Sequence, residues 1–355
     1  MVELNNIFFS LVLVFIGYFL TKYLLINFRN KKIDFLTDNQ FTKPQAFHTE
    51  PTYRVGGLII FFLLILVFIY LYFFKNLIYF EYISFGVLFF FLGFVDDLKI
   101  NVAPKFRLLI MILLLFISVL YNEIYIEKSG LEFLNNLLAI DIFALFFVCL
   151  CFLFIINGSN LIDGFNGLLG IHALIIFLAL FIINFIKGNT YISDILFFNI
   201  LICVIFLIFN FPKAQIFLGD SGAYLLGSLI AISVIKTSIS IPEISPFFFC
   251  ILLFYLFFEV FFSFFRKIFV VRQSPLFPDD KHLHMNLYKF FLKSKKPLEN
   301  SNYLVSVYIN FAYLLLILPG FVFIESNIFC RNYFIFLMIF YILVYYFFNK
   351  KILKS

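Results

Sequence analysis

The chain has 355 residues, of which 64% are apolar and 13% are charged, and its formal net charge is +6. Soluble domains are about 45–50% apolar and about 25% charged, so this composition excludes a water-soluble core, a disordered chain and a secreted disulfide scaffold. What remains is a polytopic membrane protein, and the positive charge does not indicate a nucleic-acid partner.

Eleven apolar segments follow one another along the chain, and most are long enough to cross a bilayer as a helix. Helix is the expected structure, because lipid offers no partners for open backbone groups and the segments do not alternate as barrel strands do. We therefore predict an all-α polytopic integral membrane protein with about 11 transmembrane helices and a single membrane domain over residues 1–355. The predicted spans are 7–26, 56–74, 82–95, 106–122, 137–156, 164–186, 195–211, 223–241, 247–265, 303–325 and 332–349.

The distribution of Lys and Arg predicts how these spans are oriented. The first span has no basic stretch before it, and its basic residues cluster at or after its far end, which is unlike a signal peptide. If the N-terminus is outside, the inner segments hold 20 of the 26 basic residues and the outer segments hold four. This bias predicts an outer N-terminus and a cytoplasmic C-terminus. The predicted functional loops are then about 27–55, 96–105, 157–163, 212–222 and 266–302.

Three of these inner loops carry acids and amides at the membrane boundary. Asp96 and Asp97 end the third span, Asn160, Asp163 and Asn166 follow the fifth, and Asp220 precedes the eighth. One such segment is typical of a turn or a helix N-cap. Three on the same face favour a hard divalent cation, because Mg²⁺ is commonly held by one or two protein oxygens and substrate phosphates. We therefore predict metal and phosphate chemistry at the inner face.

The first and last inner loops supply basic groups. The last loop contains His282 and His284, and the first contains His48, Arg54 and the Gly pair that enters the second span. A basic loop alone is most often an anchor under the positive-inside rule, and a His-x-His pair alone is a weak metal signal. Opposite an acidic face, the same groups favour anion binding. His172, within the sixth span, is read as a packed side chain.

Together these segments resemble a known family, the polyprenyl-phosphate N-acetylhexosamine-1-phosphate transferases, a superfamily that includes the phospho-MurNAc-pentapeptide translocase. Five pieces occur in the order of the family over positions 48–287. Residues 50–57 resemble the N-acetylhexosamine branch more than the peptidoglycan branch. The pieces that carry the resemblance are His48 with Pro51 to Gly57, Gly93 to Asp97 with Pro104 and Arg107, Asn157 to Gly167, Phe217 to Gly222, and Ser274 to His284.

The chain also departs from the pattern of the family. Met285 and Asn286 stand where a third His and an Arg are usual, and Asp280 replaces an Arg. Glu259 is the nearest acid to an Asp that the family carries late in the ninth span. These changes put nucleotide-sugar selectivity and the phosphate contacts of the last loop in doubt.

The resemblance implies a Mg²⁺-dependent transferase, with Mn²⁺ as an alternative ion. It would move a sugar 1-phosphate, of an N-acetylhexosamine, from a UDP-sugar to undecaprenyl or another polyprenyl phosphate and release UMP. This would be the first membrane step of a cell-envelope glycan, with O-antigen of lipopolysaccharide, capsule and teichoic acid left open. The expected location is the inner membrane, with the active site on the cytoplasmic face and a homodimer as an open alternative.

Family position also implies residue roles. Asp220 and Asn160 are the expected metal ligands, with Asp97 close by, and Asp96 orients or deprotonates the acceptor phosphate. Direct attack is favoured over an aspartyl-phosphate intermediate, because a phosphate monoester with a second pKa of about 6 is largely dianionic at pH 7. Asp163 and Asn166 are expected near the uridine, where amides and carboxylates can pair with its edges. The expected phosphate clamps are Lys105, Arg107, His282 and His284, and the first-loop substrate contacts are His48 and Arg54.

Three other readings stay open. Within the same family, the chain can be a phospho-MurNAc-pentapeptide translocase. Outside it, a membrane transporter or lipid flippase would share the apolar bias, although transporters place charges near the midplane of the membrane. Here the acids within spans are Asp141 and Glu259, which favours the enzyme. An inactive relative with a scaffold role is the third alternative.

Overall fold

The computed structural model describes residues 2–31, 36–38, 51–100, 102–274, 279–293 and 297–353. In these ranges the chain is almost entirely helical, which confirms the all-α prediction. The helices are α1 Val2–Lys31, α2 Gly56–Lys75, α3 Phe80–Asp97, α4 Pro104–Tyr121, α5 Glu132–Leu138, α6 Asp141–Ile162, α7 Leu168–Ile186, α8 Thr190–Asn210, α9 Gly219–Ser240, α10 Pro246–Leu252, α11 Phe254–Phe265, α12 Leu283–Lys293, α13 Leu298–Val322 and α14 Asn327–Leu353. A π-helical turn, Arg266–Val271, continues α11.

The helices give a multi-pass membrane protein. In the described ranges, nine are long and apolar enough to cross a bilayer, and a bent pair makes a tenth candidate. Helix α3 has the length of a span, 18 residues, but three of its residues are acids. Each of the eleven predicted segments thus overlaps a helix or the bent pair. Asp141, expected inside the fifth span, instead begins α6 and is exposed.

The bent pair occupies the ninth predicted span. Helix α10 and the helix that begins at Phe254 meet at an angle of 76°. Leu253 separates them, and no Gly or Pro stands at the break. The sequence at the break therefore carries no local signal for the bend, and the predicted span over 247–265 is formed by this bent pair.

Helix α9 is the centre of the bundle. Every residue from 221 to 235 is buried, and the helix packs against α2, α3, α6 and α7. Many of these residues are Gly, Ala or Ser, and small residues let neighbouring backbones approach closely where lipid gives no hydrophobic driving force. The N-terminus of α9 lies beside the start of α2 and the last turn of α3.

Two short strands lie at this end of the bundle. Strand β1, Thr37–Asp38, pairs antiparallel with β2, Thr52–Tyr53. Tyr53 also forms a parallel bridge with Ile216, just before α9. The first inner loop is thereby attached to the segment that leads into the central helix.

Candidate functional site at the N-terminus of helix α9

The entry to α9 is held by backbone contacts from the first loop. The Phe217 N–H donates to the Tyr53 carbonyl at 2.8 Å, and the Gly57 N–H donates to the Leu218 carbonyl at 2.8 Å. Gly219 then turns into the helix with a φ of +75°, a conformation that glycine adopts at little cost. Asp220 follows in the first turn of α9.

Helix α3 meets the same point because Gly93 has no side chain. A Cβ atom at this position would lie 2.3 Å from the carbonyl oxygen of Asp220, so only glycine allows this approach. The contact places the end of α3, with Asp96 and Asp97, next to Asp220. Two of the three predicted acidic loops are therefore adjacent.

Asp97 caps the central helix. Its carboxylate is 1% exposed, with Oδ1 accepting the Asp220 N–H at 2.9 Å and Oδ2 accepting the Ser221 N–H at 2.9 Å. The first N–H groups of a helix have no partner within the helix, and a carboxylate there also meets the positive end of the helix dipole. Asp97 was expected to be catalytic. Its contacts in the structure are those of a residue that fixes the position of Asp220.

Asp96, by contrast, faces a cation. Its Oδ2 accepts from Nη1 of Arg107 at 2.9 Å, and the Arg107 side chain remains 31% exposed. Lys105, in the first turn of α4, is exposed. The expected acceptor-orienting acid and the two expected clamps of this loop therefore lie on adjacent helix ends.

An apolar groove of about 300 Å³ runs between α3 and α4 up to this ion pair. Phe91 and Val95 are exposed to it from α3. Its lining is Leu88, Phe91, Leu92, Val95, Asp96, Val102, Arg107, Ile110 and Leu114. The groove joins a hydrocarbon surface to the charged end of the bundle.

Arg54 links the first loop to the acids. It donates to Asp38 Oδ2 from Nη2 at 2.6 Å, and its Nη1 lies 3.8 Å from Asp97 Oδ1. Burial alone would lower the pKa of Arg54, but the charges of Asp38, Asp220 and Asp97 together raise it. The guanidinium therefore stays charged beside the carboxylates.

The loop between α6 and α7 completes the cluster. Asn160 Nδ2 approaches the Tyr224 hydroxyl of α9 at 3.5 Å, and Asn166 is held by its backbone N–H to Asn302 Oδ1 at 2.8 Å and by its amide to the Pro212 carbonyl at 3.0 Å. Burial raises the pKa of Asp163 to about 8, and the charges of Asp220 and Asp97 add to the rise. Because the charges of Asp220 and Asp97 act on Asp163, all three acidic loops meet at this point.

Tyr224 was missed by sequence reasoning. It is fully buried one turn after Asp220, and it interacts electrostatically with Asp220, Arg107 and Asp96. The spacing of four residues from Asp220 was the available signal, because residues four apart share one helix face.

The His pair of the last loop contacts residues of α11, and one of these residues is in turn hydrogen-bonded by α14. His282 Nδ1 lies 3.0 Å from Oε1 of Glu259, and the hydroxyl of Tyr341 donates to Oε2 of the same carboxylate. His284 Nδ1 lies 3.1 Å from the Tyr255 hydroxyl, and burial lowers the pKa of His284 to about 3, so this ring is neutral. Tyr255 and Tyr341 were not singled out from the sequence.

The residues that depart from the family pattern differ in their contacts and burial. Asp280 pairs with Lys289 at 2.7 Å, and Met285 and Asn286 are buried on the inner side of α12. Asp279 pairs with the buried Arg266, whose charge lowers the pKa of Asp279 against the opposing effect of burial. His48 lies outside the described residues.

The cluster fits a hard divalent cation bound partly by substrate. Within the ranges that the structure describes, no three His, Cys, Asp or Glu side chains form a complete metal site. The donor set is nevertheless carboxylate and amide oxygen, the type that Mg²⁺ takes together with phosphate oxygens and water. Burial is the largest cause of the raised pKa of Asp163, and the charges of Asp220 and Asp97 add to it; a cation would balance those charges.

Comparison with known proteins identifies the family. The profile of glycosyl transferase family 4 matches residues 79–238. The phospho-N-acetylmuramoyl-pentapeptide-transferase of Dictyoglomus turgidum is 32% identical over 286 residues, which cover 79% of this chain and 89% of that protein. The chain belongs to glycosyl transferase family 4. The resemblance inferred from the five sequence pieces is thereby confirmed.

Other relatives in the family carry two different activities by name. The undecaprenyl-phosphate alpha-N-acetylglucosaminyl 1-phosphate transferase of Thermotoga maritima is 28% identical over 274 residues, covering 76% of this chain and 77% of that protein. The phospho-N-acetylmuramoyl-pentapeptide-transferase of Chlorobaculum parvum is 29% identical over 192 residues, which cover 44% of this chain and 51% of that protein. Family membership therefore leaves the sugar open.

Proposed function

We propose that the chain transfers an N-acetylhexosamine 1-phosphate from a UDP-sugar to a polyprenyl phosphate, with release of UMP. The observation that carries this proposal is the apolar groove that ends at Asp96 and Arg107, beside the carboxylates of Asp163 and Asp220. A lipid phosphate needs a hydrocarbon path and a charged end, and a nucleotide-sugar needs polar groups facing water. Both are present at one end of the bundle.

The acceptor is proposed to lie between α3 and α4. Its first prenyl units would occupy the groove, and its phosphate would meet Arg107, which retains exposed donors beside Asp96. A guanidinium suits this role because it binds phosphate with two parallel hydrogen bonds. Lys105 adds a second cation in the same helix turn.

The donor is proposed to lie over the loop between α6 and α7. Asp163 and Asn166 would pair with the uracil and ribose edges, and Arg54, His282 and His284 would face the pyrophosphate. The first loop and the segment before α9 are hydrogen-bonded to each other, so Arg54 is held in place before the donor binds.

A divalent cation, Mg²⁺ or Mn²⁺, would be held by Asp220 and Asn160, and when bound it supplies charge neutralisation for the pyrophosphate. Arg54 and Arg107 flank this position and counter the repulsion between two phosphate groups. The protein residues therefore orient both substrates and reduce their charge without forming a covalent bond.

The hydrogen bonds of Asp97 favour direct attack by the acceptor phosphate over an aspartyl-phosphate intermediate. Both of its oxygens accept backbone N–H groups, and the side chain is 1% exposed. To act as a nucleophile it would have to uncap α9 and leave two N–H groups without partners. Asp96 is left as the acid that orients the acceptor through Arg107.

The proposed location is the cytoplasmic membrane of a bacterium, with this site on the inner face and a cell-envelope glycan as the product pathway. The 20 basic residues on the predicted inner side support that orientation. A second candidate substrate, UDP-MurNAc-pentapeptide, is supported by the relative from Dictyoglomus turgidum. The sequence of residues 50–57 favours the N-acetylhexosamine instead.

The test uses purified protein, Mg²⁺, undecaprenyl phosphate and a panel of UDP-sugars that includes UDP-N-acetylhexosamines and UDP-MurNAc-pentapeptide. We expect stoichiometric UMP and a lipid-linked sugar with an N-acetylhexosamine donor. Turnover of the pentapeptide donor alone would move the chain to the translocase. Absence of UMP with every donor, from well-folded protein that transports a solute into liposomes, would contradict an enzyme.

A further inference from the structure

A buried carboxylate lies beneath the His pair. Glu259 is 1% exposed and lies on α11, where it is the one acidic residue among mostly aromatic and aliphatic side chains. Its Oε1 is 3.0 Å from His282 Nδ1 and accepts the Leu283 N–H at 3.1 Å, and its Oε2 accepts the Tyr341 hydroxyl. Three groups that can donate converge on one carboxylate, so we assign Glu259 as ionised and His282 Nδ1 as protonated.

A buried carboxylate destabilises an apolar helix unless hydrogen bonds compensate for the water that it loses. Removing a charged group from water costs several kcal/mol even after relaxation, and an apolar side chain of similar size would pack at this place without that cost. The three contacts come from His282, which precedes α12, from Leu283 at the start of α12, and from α14. The arrangement therefore fixes the start of α12, including the His282 ring, against α11.

The two His rings are held differently. The His282 ring faces a carboxylate, whereas the neutral His284 ring faces a hydroxyl, that of Tyr255. The rings are nearly parallel, with centroids 5.5 Å apart. The His284 ring also contacts Phe165 at 5.8 Å, between Asp163 and Asn166 in the loop proposed to bind the donor. The pair therefore borders the donor site.

We propose that Glu259 and Tyr341 are positioning residues for His282. Glu259 accepts from Nδ1–H of the ring, so that Nε2, protonated when the anionic nucleotide-sugar binds, donates to one of its phosphate oxygens. Tyr341 orients the carboxylate, the carboxylate orients the ring, and neither touches substrate. This inference rests on the proposed function. It gives α14, which lies outside the region matched by the family profile, a part in the donor site.

The first test reads the ring directly. The chain has four His residues, so the ring ¹⁵N signals of labelled protein can be assigned with a His282→Asn variant. We expect His282 to be protonated at Nδ1 in the parent and in Glu259→Gln, whose amide oxygen still accepts. In Glu259→Leu we expect that signal to shift, and an unchanged signal there would overturn the proposal.

The second test separates KM from kcat in the UMP assay. We expect Glu259→Leu to raise KM for the UDP-sugar about 10-fold, because a hydrogen bond to a charged group is lost, with partial rescue in Glu259→Gln. Tyr341→Phe removes one donor only and should raise the same KM about 3-fold, which keeps the proposal testable if Glu259→Leu does not fold. Glu81→Gln is the control, because Glu81 pairs with Lys236 at 2.5 Å, away from the His pair.

The outcomes distinguish this inference from the proposed function. Equal KM values in the parent, Glu259→Gln and Tyr341→Phe would overturn the positioning role. If the parent releases no UMP from any donor but the His282 signal depends on Glu259, the proposed function falls and the phosphate role of His282 falls with it. In that case only the contact between the two side chains stands.

Discussion

Asp97 illustrates how one acid of a candidate site can be buried while the acid next to it is not. Its two oxygens accept the N–H groups of Asp220 and Ser221, each at 2.9 Å, and the neighbouring Asp96 pairs with Arg107 instead. Adjacent residues at the end of a helix point in different directions, so an Asp pair can serve two purposes. In this chain one acid builds the site and the other faces it.

The first prediction separates these roles by comparing Asp97→Asn with Asp220→Asn. An Asn side chain has one oxygen acceptor, and its NH₂ group would face the second of the two helix N–H groups. Asp97→Asn should therefore lower the free energy of unfolding by about 1–2 kcal/mol, and it should also reduce activity. Asp220→Asn should abolish UMP release while the melting temperature in detergent stays close to that of the parent. Equal melting temperatures for the two variants would contradict the capping role, and parent-like turnover of Asp220→Asn would remove it from the metal site.

At the scale of elements, the close approach of α3 and α9 determines the geometry of the site. A Cβ at Gly93 would lie 2.3 Å from a backbone oxygen of α9, which cannot move aside as a side chain can, whereas a Cβ at Gly86 would be 3.4 Å from the end of Leu225. We expect Gly93→Ala to lower the melting temperature and abolish activity, because overpacking costs about 1–3 kcal/mol even where side chains can adjust. Gly86→Ala on the same helix is the matched control and should be tolerated. Comparable melting curves for both variants would argue against the contact.

The groove between α3 and α4 gives a prediction about the acceptor alone. Val95→Trp should fill the groove and raise KM for undecaprenyl phosphate about 10-fold, because lost apolar contact of about 1.4 kcal/mol corresponds to that factor. KM for the UDP-sugar should stay unchanged. Ile65→Trp on α2 is the control, since Ile65 is 38% exposed and Val95 is 36% exposed. Equal acceptor KM values in the two variants would place the prenyl chain elsewhere.

The same elements show what the sequence could and could not predict. Span length, composition and acids beside short loops predicted the helices and the meeting of three loops, because these are local properties repeated along the chain. The capping of α9 by Asp97 and the pairing of Glu259 with His282 and Tyr341 join residues that are 124, 23 and 82 positions apart. These contacts depend on how each helix is rotated about its axis, which the local sequence does not determine. The break after α10 depends on packing too, since Leu253 carries no helix-breaking chemistry.

At the scale of the whole molecule, polar groups are distributed unequally between the two ends of the bundle. The candidate site lies at the N-terminus of α9, and the C-terminal end of α14 lies on that side, where Lys293 of α12 donates to the Ile352 carbonyl. The N-terminal part of α1 lies at the other end, where Tyr70, near the end of α2, donates to Asn6 Oδ1 at 2.8 Å. The described beginning of α1 and the described end of α14 therefore lie at opposite ends of the bundle.

Which face is cytoplasmic is predicted by the bias of basic residues, 20 against four, and a labelling experiment tests it. The five native Cys residues would be replaced, and single Cys residues introduced at Lys187, between α7 and α8, or at Lys213, between α8 and α9. Both positions are exposed and lie on opposite faces. A membrane-impermeant maleimide should label Lys187→Cys in intact cells and Lys213→Cys only after permeabilisation. The reverse pattern would place the acids and Arg107 outside, where UDP-sugars made in the cytoplasm cannot reach them, and would contradict the proposed reaction.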